Sequence, residues 1–479
     1  MKIWNPFLPE HEFVPDGEPH AYNQRVYLYG SHEKSHGTEF CTEDYVCWSA
    51  AEDELRDWRY EGVIYKKNQD PFNPDGSLCM YAPDVVQGTD GRFYLYYAFE
   101  DIGIISVAVC DEPAGQYHFY GHVHWAEQNG ITEVLKKPFP FDPAVLNDDG
   151  RIYLYYGFCP EATNQKIPML SNTRGSLVCE LEADMLTVKT NPRYLIPGIL
   201  ASKGTSFEGH EFFEASSIRK MGQTYYFIYS SILSHELCYA TSRYPDKEYV
   251  YQGILISNGD IGYQGRKSER RVAYTGNNHG SIALVNGEWY IFYHRHTQGI
   301  RCCRQACAEK LSFVNGKFEQ AELTSQGLNG RPLADEGDYP AGICCNLIGK
   351  GGAFHIEGTA DFRSRIPYVT EENGHSYIAN IKDGTQIGYK YFAFKRENYR
   401  ITILVRGQCQ GYFGIWVDGG LDEYFTGQQG KQVAYEELLL NTETDQLIEI
   451  DCNITSGIHG LYMSFSGSGM MTLSGFTIN

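Results

Sequence analysis

The chain has 479 residues, too many for one ordinary core, so two domains are the starting expectation. Its formal net charge of −20 excludes the basic footprint that nucleic acid or an anionic membrane demands, but it admits a neutral ligand such as a sugar. With 37 Tyr, 25 Phe and 50 Gly, the composition favours strands and tight turns over helices. No apolar run approaches the roughly 18 residues of a transmembrane helix.

From the N-terminus, "MKIWNPFLPEHEFVPDGEPH" carries prolines and acids where a signal peptide needs an apolar run, which predicts a cytoplasmic protein. Five segments then repeat one pattern: "QRVYLYGSHE", "GRFYLYYAFE", "GRIYLYYGFC", "GQTYYFIYSS" and "GEWYIFYHRH". Each sets a turn residue before an aromatic-rich run of strand length. Tyr27, Tyr94, Tyr153, Tyr225 and Tyr290 take corresponding places, about 60–70 residues apart. A unit of that length with about four short strands is one propeller blade, so residues 1–325 are predicted to form a five-bladed β-propeller.

Ten or eleven residues before those tyrosines stand Asp16, Asp84, Asp142, Glu214 and His279. The strand preceding each hairpin is the innermost of its blade, so these five side chains are predicted to meet at the mouth of the central channel. Any one of them alone reads as a turn cap or as channel hydration; five matched offsets read as a shared site. Crowded carboxylates disfavour one another's ionisation, which yields the proton donor and acceptor that glycosidic hydrolysis uses. Tyr81, Phe141 and Phe213 stand close to these acids in sequence and are candidates for a sugar-facing wall, with core packing as the alternative.

Together these residues resemble glycoside hydrolase family 43, five-bladed propellers that act on arabinose- and xylose-containing glycans. The resemblance covers roughly residues 5–320. It rests on the Pro-Asp element at Asp16, the "FDPAVLNDDG" element with Asp142, Glu214 opening a later strand, and His279-Gly280 before the last hairpin. It implies that Asp16 is the general base, Glu214 the general acid, and Asp142 the group that holds Glu214 and raises its pKa. It further implies inversion of configuration, Asp84 and Arg304 at the substrate, and His279 on the channel floor beside a water cluster or a structural Ca²⁺ contacted through water. Many members carry Trp where this chain has Tyr81. The implied function is an exo-glycosidase that removes terminal α-L-arabinofuranosyl residues from arabinoxylan- or arabinan-derived oligosaccharides and requires no cofactor. A β-D-xylosidase, or a bifunctional enzyme, is the alternative. A non-catalytic carbohydrate-binding protein is a reading from another class, and the intact Asp16, Asp142 and Glu214 set argues against it.

After "LSFVNGKFEQAEL" the repeat stops, and a Gly/Pro-rich charged stretch predicts a linker over 326–340. Residues 341–479 alternate short strand candidates with Gly turns and are predicted to form a β-sandwich of jelly-roll type. The ending "GIHGLYMSFSGSGMMTLSGFTI" resembles carbohydrate-binding module family 6. Trp416, Tyr412 and Tyr424 are its candidate sugar platforms; packing on the propeller is the favoured role. The fourteen cysteines read as reduced thiols filling core space. Cys302, Cys303 and Cys307 lie in "RCCRQACAE", a strand with no CxxC pair, and are not predicted to bind metal.

Overall fold

A computed structural model describes residues 3–99, 102–160, 174–356 and 361–479. The repeated hairpins form because their tips accept the conformation that strand twist demands. Asn23–Gln24 and Asp149–Gly150 have positive φ at both central residues, the turn geometry that keeps two twisted strands in register. The aromatic runs between the turns then pair as antiparallel meanders.

Blade 1 is Glu18–Tyr22, Arg25–Tyr29, Tyr45–Ala51 and Glu54–Tyr65, and blade 2 is Asp84–Gln87, Phe93–Ala98, Ile105–Cys110 and His118–His122. Blade 3 begins with Ala144–Asp148, Arg151–Tyr156 and Gly175–Leu181, and blade 4 is Phe212–Met221, Thr224–Ser231, Glu236–Ser242 and Val250–Ser257. Blade 5 has three strands among the described residues, Ile282–Val285, Glu288–His296 and Arg304–Leu311. The N-terminal stretch lies along its outer edge: Phe7 N–H donates to Ala306 O at 3.2 Å, and Ala308 N–H donates to Asn5 Oδ1 at 3.0 Å. The chain's start thus closes the ring. Between successive blades the apolar faces meet in separate cores, for example Val26, Leu28, Ala306 and Ala308 between blades 1 and 5.

The C-terminal part is a nine-stranded sheet that curls round one core containing Ile387, Phe392, Ile403, Phe413, Met463 and Phe476. The short strands expected here merge into longer ones, Asn398–Val417 and Gly457–Ile478, because glycines inside them permit curvature rather than ending the strand. Gly407, at φ +139°, lies so close to Met470 and Met471 that a Cβ would meet Met470 O at 2.5 Å.

The linker expected over 326–340 is corrected by the structure. Leu333–Ala334 and Gly337–Pro340 are strands of this sheet, and the N–H groups of Ser325 and Gln326 both donate to Lys390 O. A Gly/Pro-rich composition here reflects tight backbone pairing rather than solvation.

Candidate active site

The innermost strands start at the channel mouth, and register decides which side chains share a level. Tyr27 pairs with His20, Tyr153 with Leu146 and Tyr290 with Ala283, so Asp16, Asp142 and His279 each stand four residues ahead of the pair. In blade 4 a bulge between Glu214 and Ser217, with Ala215 at φ +66°, re-aims Glu214. In blade 2, Tyr94 pairs with Val86, only two residues past Asp84. The offset of ten there, against eleven elsewhere, together with a pairing partner eight residues before the tyrosine instead of seven, puts Asp84 level with Glu18 and below Asp16.

Asp16 is buried and fully partnered. Ser31 Oγ donates to Oδ2 at 2.6 Å, Arg304 Nη1 to Oδ1 at 2.8 Å and Arg304 Nη2 to Oδ2 at 3.3 Å. Burial alone would push its pKa up; the Arg304 guanidinium overcomes this and holds the carboxyl well below the usual range. Arg304, 2% exposed, is itself clamped by Glu33, which receives Nε at 3.0 Å, Nη2 at 2.7 Å and the backbone N–H at 2.8 Å. On the other side, His294 Nδ1 accepts the Asp16 N–H at 3.2 Å, and its Nε2 lies 2.9 Å from Asn277 O. Burial and Arg304 lower His294 to about 4, so it is neutral.

Glu214 is in the opposite state. Burial, then repulsion from Asp142, pushes it up to about 8. Asp142 is raised to about 6, chiefly by burial, and its Oδ2 accepts the N–H of Ala215 at 3.0 Å, which fixes the residue next to Glu214. His279 stands between acids: Nδ1 is 3.7 Å from Asp142 Oδ2 and Nε2 is 3.7 Å from Glu18 Oε1. Burial would lower its pKa, but Glu18, Asp142 and Asp16 raise it to about 9, so an imidazolium occupies the mouth at neutral pH.

One level down, Glu18 Oε2 receives Arg219 Nη2 at 2.7 Å and Ser217 Oγ at 3.1 Å, and Ser217 Oγ also bonds Ser281 Oγ at 2.7 Å. Asp84 is saturated by His20 Nε2 at 2.7 Å and the N–H groups of Val85 and Val145, each at 2.8 Å. It ties blade 1 to blade 3 rather than reaching the mouth. These donors do not fit a directly ligated calcium ion, which takes about six to eight oxygens. Among the described residues, Glu18 Oε1 and His279 Nε2 are buried without a hydrogen bond, but Arg219 already neutralises Glu18.

An aromatic arc spans blades 2 to 4: Tyr81 to Phe141 is 5.3 Å between ring centroids, Phe141 to Phe158 is 5.1 Å and Phe158 to Phe213 is 5.3 Å. Tyr81, Phe158 and Phe213 keep part of their surface exposed. Phe158, Glu18, Glu33 and His294 escaped the sequence reading. Glu18 was within reach of it, since strand alternation turns the second residue after Asp16 to the same face. Phe158 lies five residues after Tyr153 and His294 four after Tyr290, so no common offset from the tyrosine singles them out.

In the C-terminal module, Trp416 is corrected as a platform: it is buried, and its Nε1–H donates to Ser464 Oγ at 2.9 Å. Tyr424 packs at the junction with the propeller, its hydroxyl donating to Glu269 O and Arg271 O. Tyr412 is exposed and stacks on Tyr435 at 4.8 Å. Of the three cysteines in "RCCRQACAE", Cys303 Sγ donates to Lys34 O at 3.4 Å and Cys307 Sγ receives Arg295 Nε at 3.0 Å.

A five-bladed propeller that holds one carboxyl protonated and another ionised at its axis has the two-carboxyl apparatus of a glycoside hydrolase. Residues 3–318 match the sequence model for glycosyl hydrolases family 43. A xylosidase/arabinosidase of Thermoclostridium stercorarium is 45% identical over 483 aligned positions, covering 99% of this chain and 98% of that protein. A xylosidase/arabinosidase of Bacteroides ovatus is 28% identical, covering 61% of this chain and 89% of that one. Among solved structures, a family 43 β-xylosidase/α-arabinofuranosidase from a compost metagenome superposes with a TM-score of 0.51 at 23% identity, covering 67% of this chain and 98% of that one; it shares the propeller fold. The chain belongs to glycosyl hydrolase family 43, and it is a glycoside hydrolase.

Proposed function

We propose that this enzyme is an inverting, exo-acting glycosidase that removes terminal α-L-arabinofuranosyl residues from arabinoxylan- or arabinan-derived oligosaccharides. One observation carries the acid–base assignment: the Arg304 guanidinium is paired with Asp16 and holds it ionised, whereas Glu214 has no such cation among the described residues and is pushed up to about 8 by burial and by Asp142. Glu214 then gives its proton to the glycosidic oxygen as the bond from that oxygen to the anomeric carbon breaks. Asp16 takes a proton from the water that attacks the anomeric carbon from the opposite face, so the new hydroxyl carries inverted configuration. Asp142 raises the pKa of Glu214 by its charge and fixes Ala215 through a hydrogen bond. His279 balances the three acids. Arg304, held by Glu33, keeps Asp16 ionised and aimed. Tyr81, Phe141, Phe158 and Phe213 wall the sugar.

Proton transfer between two carboxyls and water needs no cofactor. A cation near the axis would be held through its water shell beside Glu18 and would require the His279 imidazole to be neutral. The C-terminal module serves chiefly to support the propeller, and any sugar it holds would meet Tyr412 and Tyr435.

The arabinose reading is supported by an arabinoxylan arabinofuranohydrolase of Paenibacillus polymyxa, 25% identical over 328 residues. A second reading, β-D-xylosidase or a bifunctional enzyme, is favoured by the full-length relative that is named for both sugars. Hydrolysis of aryl α-L-arabinofuranoside and aryl β-D-xyloside separates the two. Asp16→Ala is expected to lose about 10²–10⁴-fold in kcat on both. Release of the inverted anomer, followed by NMR, is expected; the retained anomer would sink the mechanism. Cleavage of neither pentoside would sink the substrate class.

A further inference from the structure

One short segment of the C-terminal module pairs with the stretch that runs into His279. Thr275 N–H donates to Phe354 O at 3.2 Å and Ile356 N–H donates to Thr275 O at 2.7 Å, a parallel bridge between the modules. Thr275 stands four residues ahead of His279. Tyr274 packs on Phe354 with centroids 5.2 Å apart, and with Ile356 and Ile366 it forms a small apolar core of its own.

His355 lies between these backbone bonds. Its Nδ1 is 3.0 Å from Thr275 Oγ1, and its Nε2 is 3.3 Å from Ser234 Oγ. Ser234, at φ +58°, belongs to the turn that joins Thr224–Ser231 to Glu236–Ser242. Its carbonyl accepts Ser230 Oγ at 3.1 Å, and Ser230 is the residue paired with Glu214 across the inner hairpin. One imidazole therefore links the turn behind Glu214 to the stretch that delivers His279. A histidine suits this place because its two nitrogens point apart and each can bond one hydroxyl, in either tautomer.

We infer that His355 is a positioning residue for hydrolysis, a brace from the C-terminal module that keeps Glu214 within reach of the leaving oxygen. The inference rests on Glu214 being the general acid. An acid displaced by as little as about 1 Å loses much of its effect, up to roughly 10²-fold.

The test uses the full-length chain and two substrates of the pentose the wild type prefers: an unactivated oligosaccharide, whose leaving oxygen needs a proton, and a dinitrophenyl glycoside, whose leaving group does not. His355→Phe is expected to lower kcat on the oligosaccharide about tenfold while the dinitrophenyl glycoside stays within about twofold. Ser234→Ala should give the same split, and His355→Gln should recover most of the loss. The double variant should lose no more than either single one.

Equal losses on both substrates, or no loss, in His355→Phe and Ser234→Ala would overturn the brace; should His355→Phe fail to fold, Ser234→Ala decides alone. Glu214→Ala separates the two levels. If it shows the substrate split and His355→Phe does not, the brace fails and the acid assignment stands. If Glu214→Ala itself shows no split, the acid assignment fails and takes the brace with it.

Discussion

Glu214 and Asp16 are both carboxyls at one channel mouth, and their surroundings drive them to opposite charge states. Asp16 has a guanidinium at 2.8 Å; Glu214 has a second carboxyl as its main electrostatic neighbour. The charge on Asp142 opposes ionisation of Glu214, so removing it must lower the Glu214 pKa. Asp142→Asn is therefore expected to move the basic limb of the kcat/KM profile from near pH 8 downward by about one unit, costing roughly fivefold more rate at pH 8 than at pH 6. An unmoved limb would show that Asp142 acts only through its bond to Ala215. Stability follows the same group. Folding raises the Glu214 pKa, so the folded state binds the extra proton and stability declines as pH climbs from the unfolded value toward 8. Glu214→Gln removes that dependence and is expected to raise Tm by a few degrees at pH 8 with little gain near pH 4.5, as read by calorimetry. Asp16, Asp142, Glu214 and His279 were visible as matched offsets. Glu33 was not, because ring closure alone brings it to Arg304 across 271 residues.

At the scale of elements, the site depends on how closely each inner strand approaches its neighbour. Gly280 follows His279, and a Cβ there would meet Phe292 O at 1.9 Å, backbone that cannot move aside. The same glycine bridges Gly17, next to Asp16, across the ring. Gly280→Ala is thus expected to push the start of the inner strand of blade 5 off its partner Glu288–His296 and lower kcat/KM more than tenfold, with a lower Tm; near wild-type values for both would contradict this packing. The Glu214 bulge belongs here as well. A single offset in sequence cannot reveal it, since Phe212 to Met221 reads as one uninterrupted strand. The shortened offset at Asp84 could be read in the sequence, and its consequence, a lower level in the channel, appeared only once the strands were paired.

The whole molecule is held by a core that runs through both modules. Cys345, Ile348, Trp416, Phe425 and Tyr462 of the C-terminal sheet pack with Ile228, Leu237, Ile256 and Val272 of the propeller. Beside them the buried Lys390 pairs with Asp260 at 3.3 Å and Glu322 at 2.8 Å. A chain ending at residue 325 would expose that apolar face and leave Asp260 buried without its partner, a costly state. It is expected to be insoluble or to melt well below the full-length enzyme, as measured by soluble yield and Tm. A stable, fully active truncated propeller would overturn the shared core. The linker reading failed for the same reason. Composition reports local polarity, whereas residues 333–340 take their place from pairing with strands about 60 and 140 residues away.

The sequence by itself determined the repeat, the propeller, the aromatic blades and the acids at the channel mouth, because these are encoded by local periodicity and by offsets that recur in every blade. The tertiary structure alone decided the charge state of each acid. Its protonation depends on which distant charge lies within about 4 Å, and Arg304, Glu33 and Asp142 reach their partners only when the ring closes. It also decided that the C-terminal module shares the core of the propeller and sends His355 to the catalytic blades, a contact between segments that no local pattern connects.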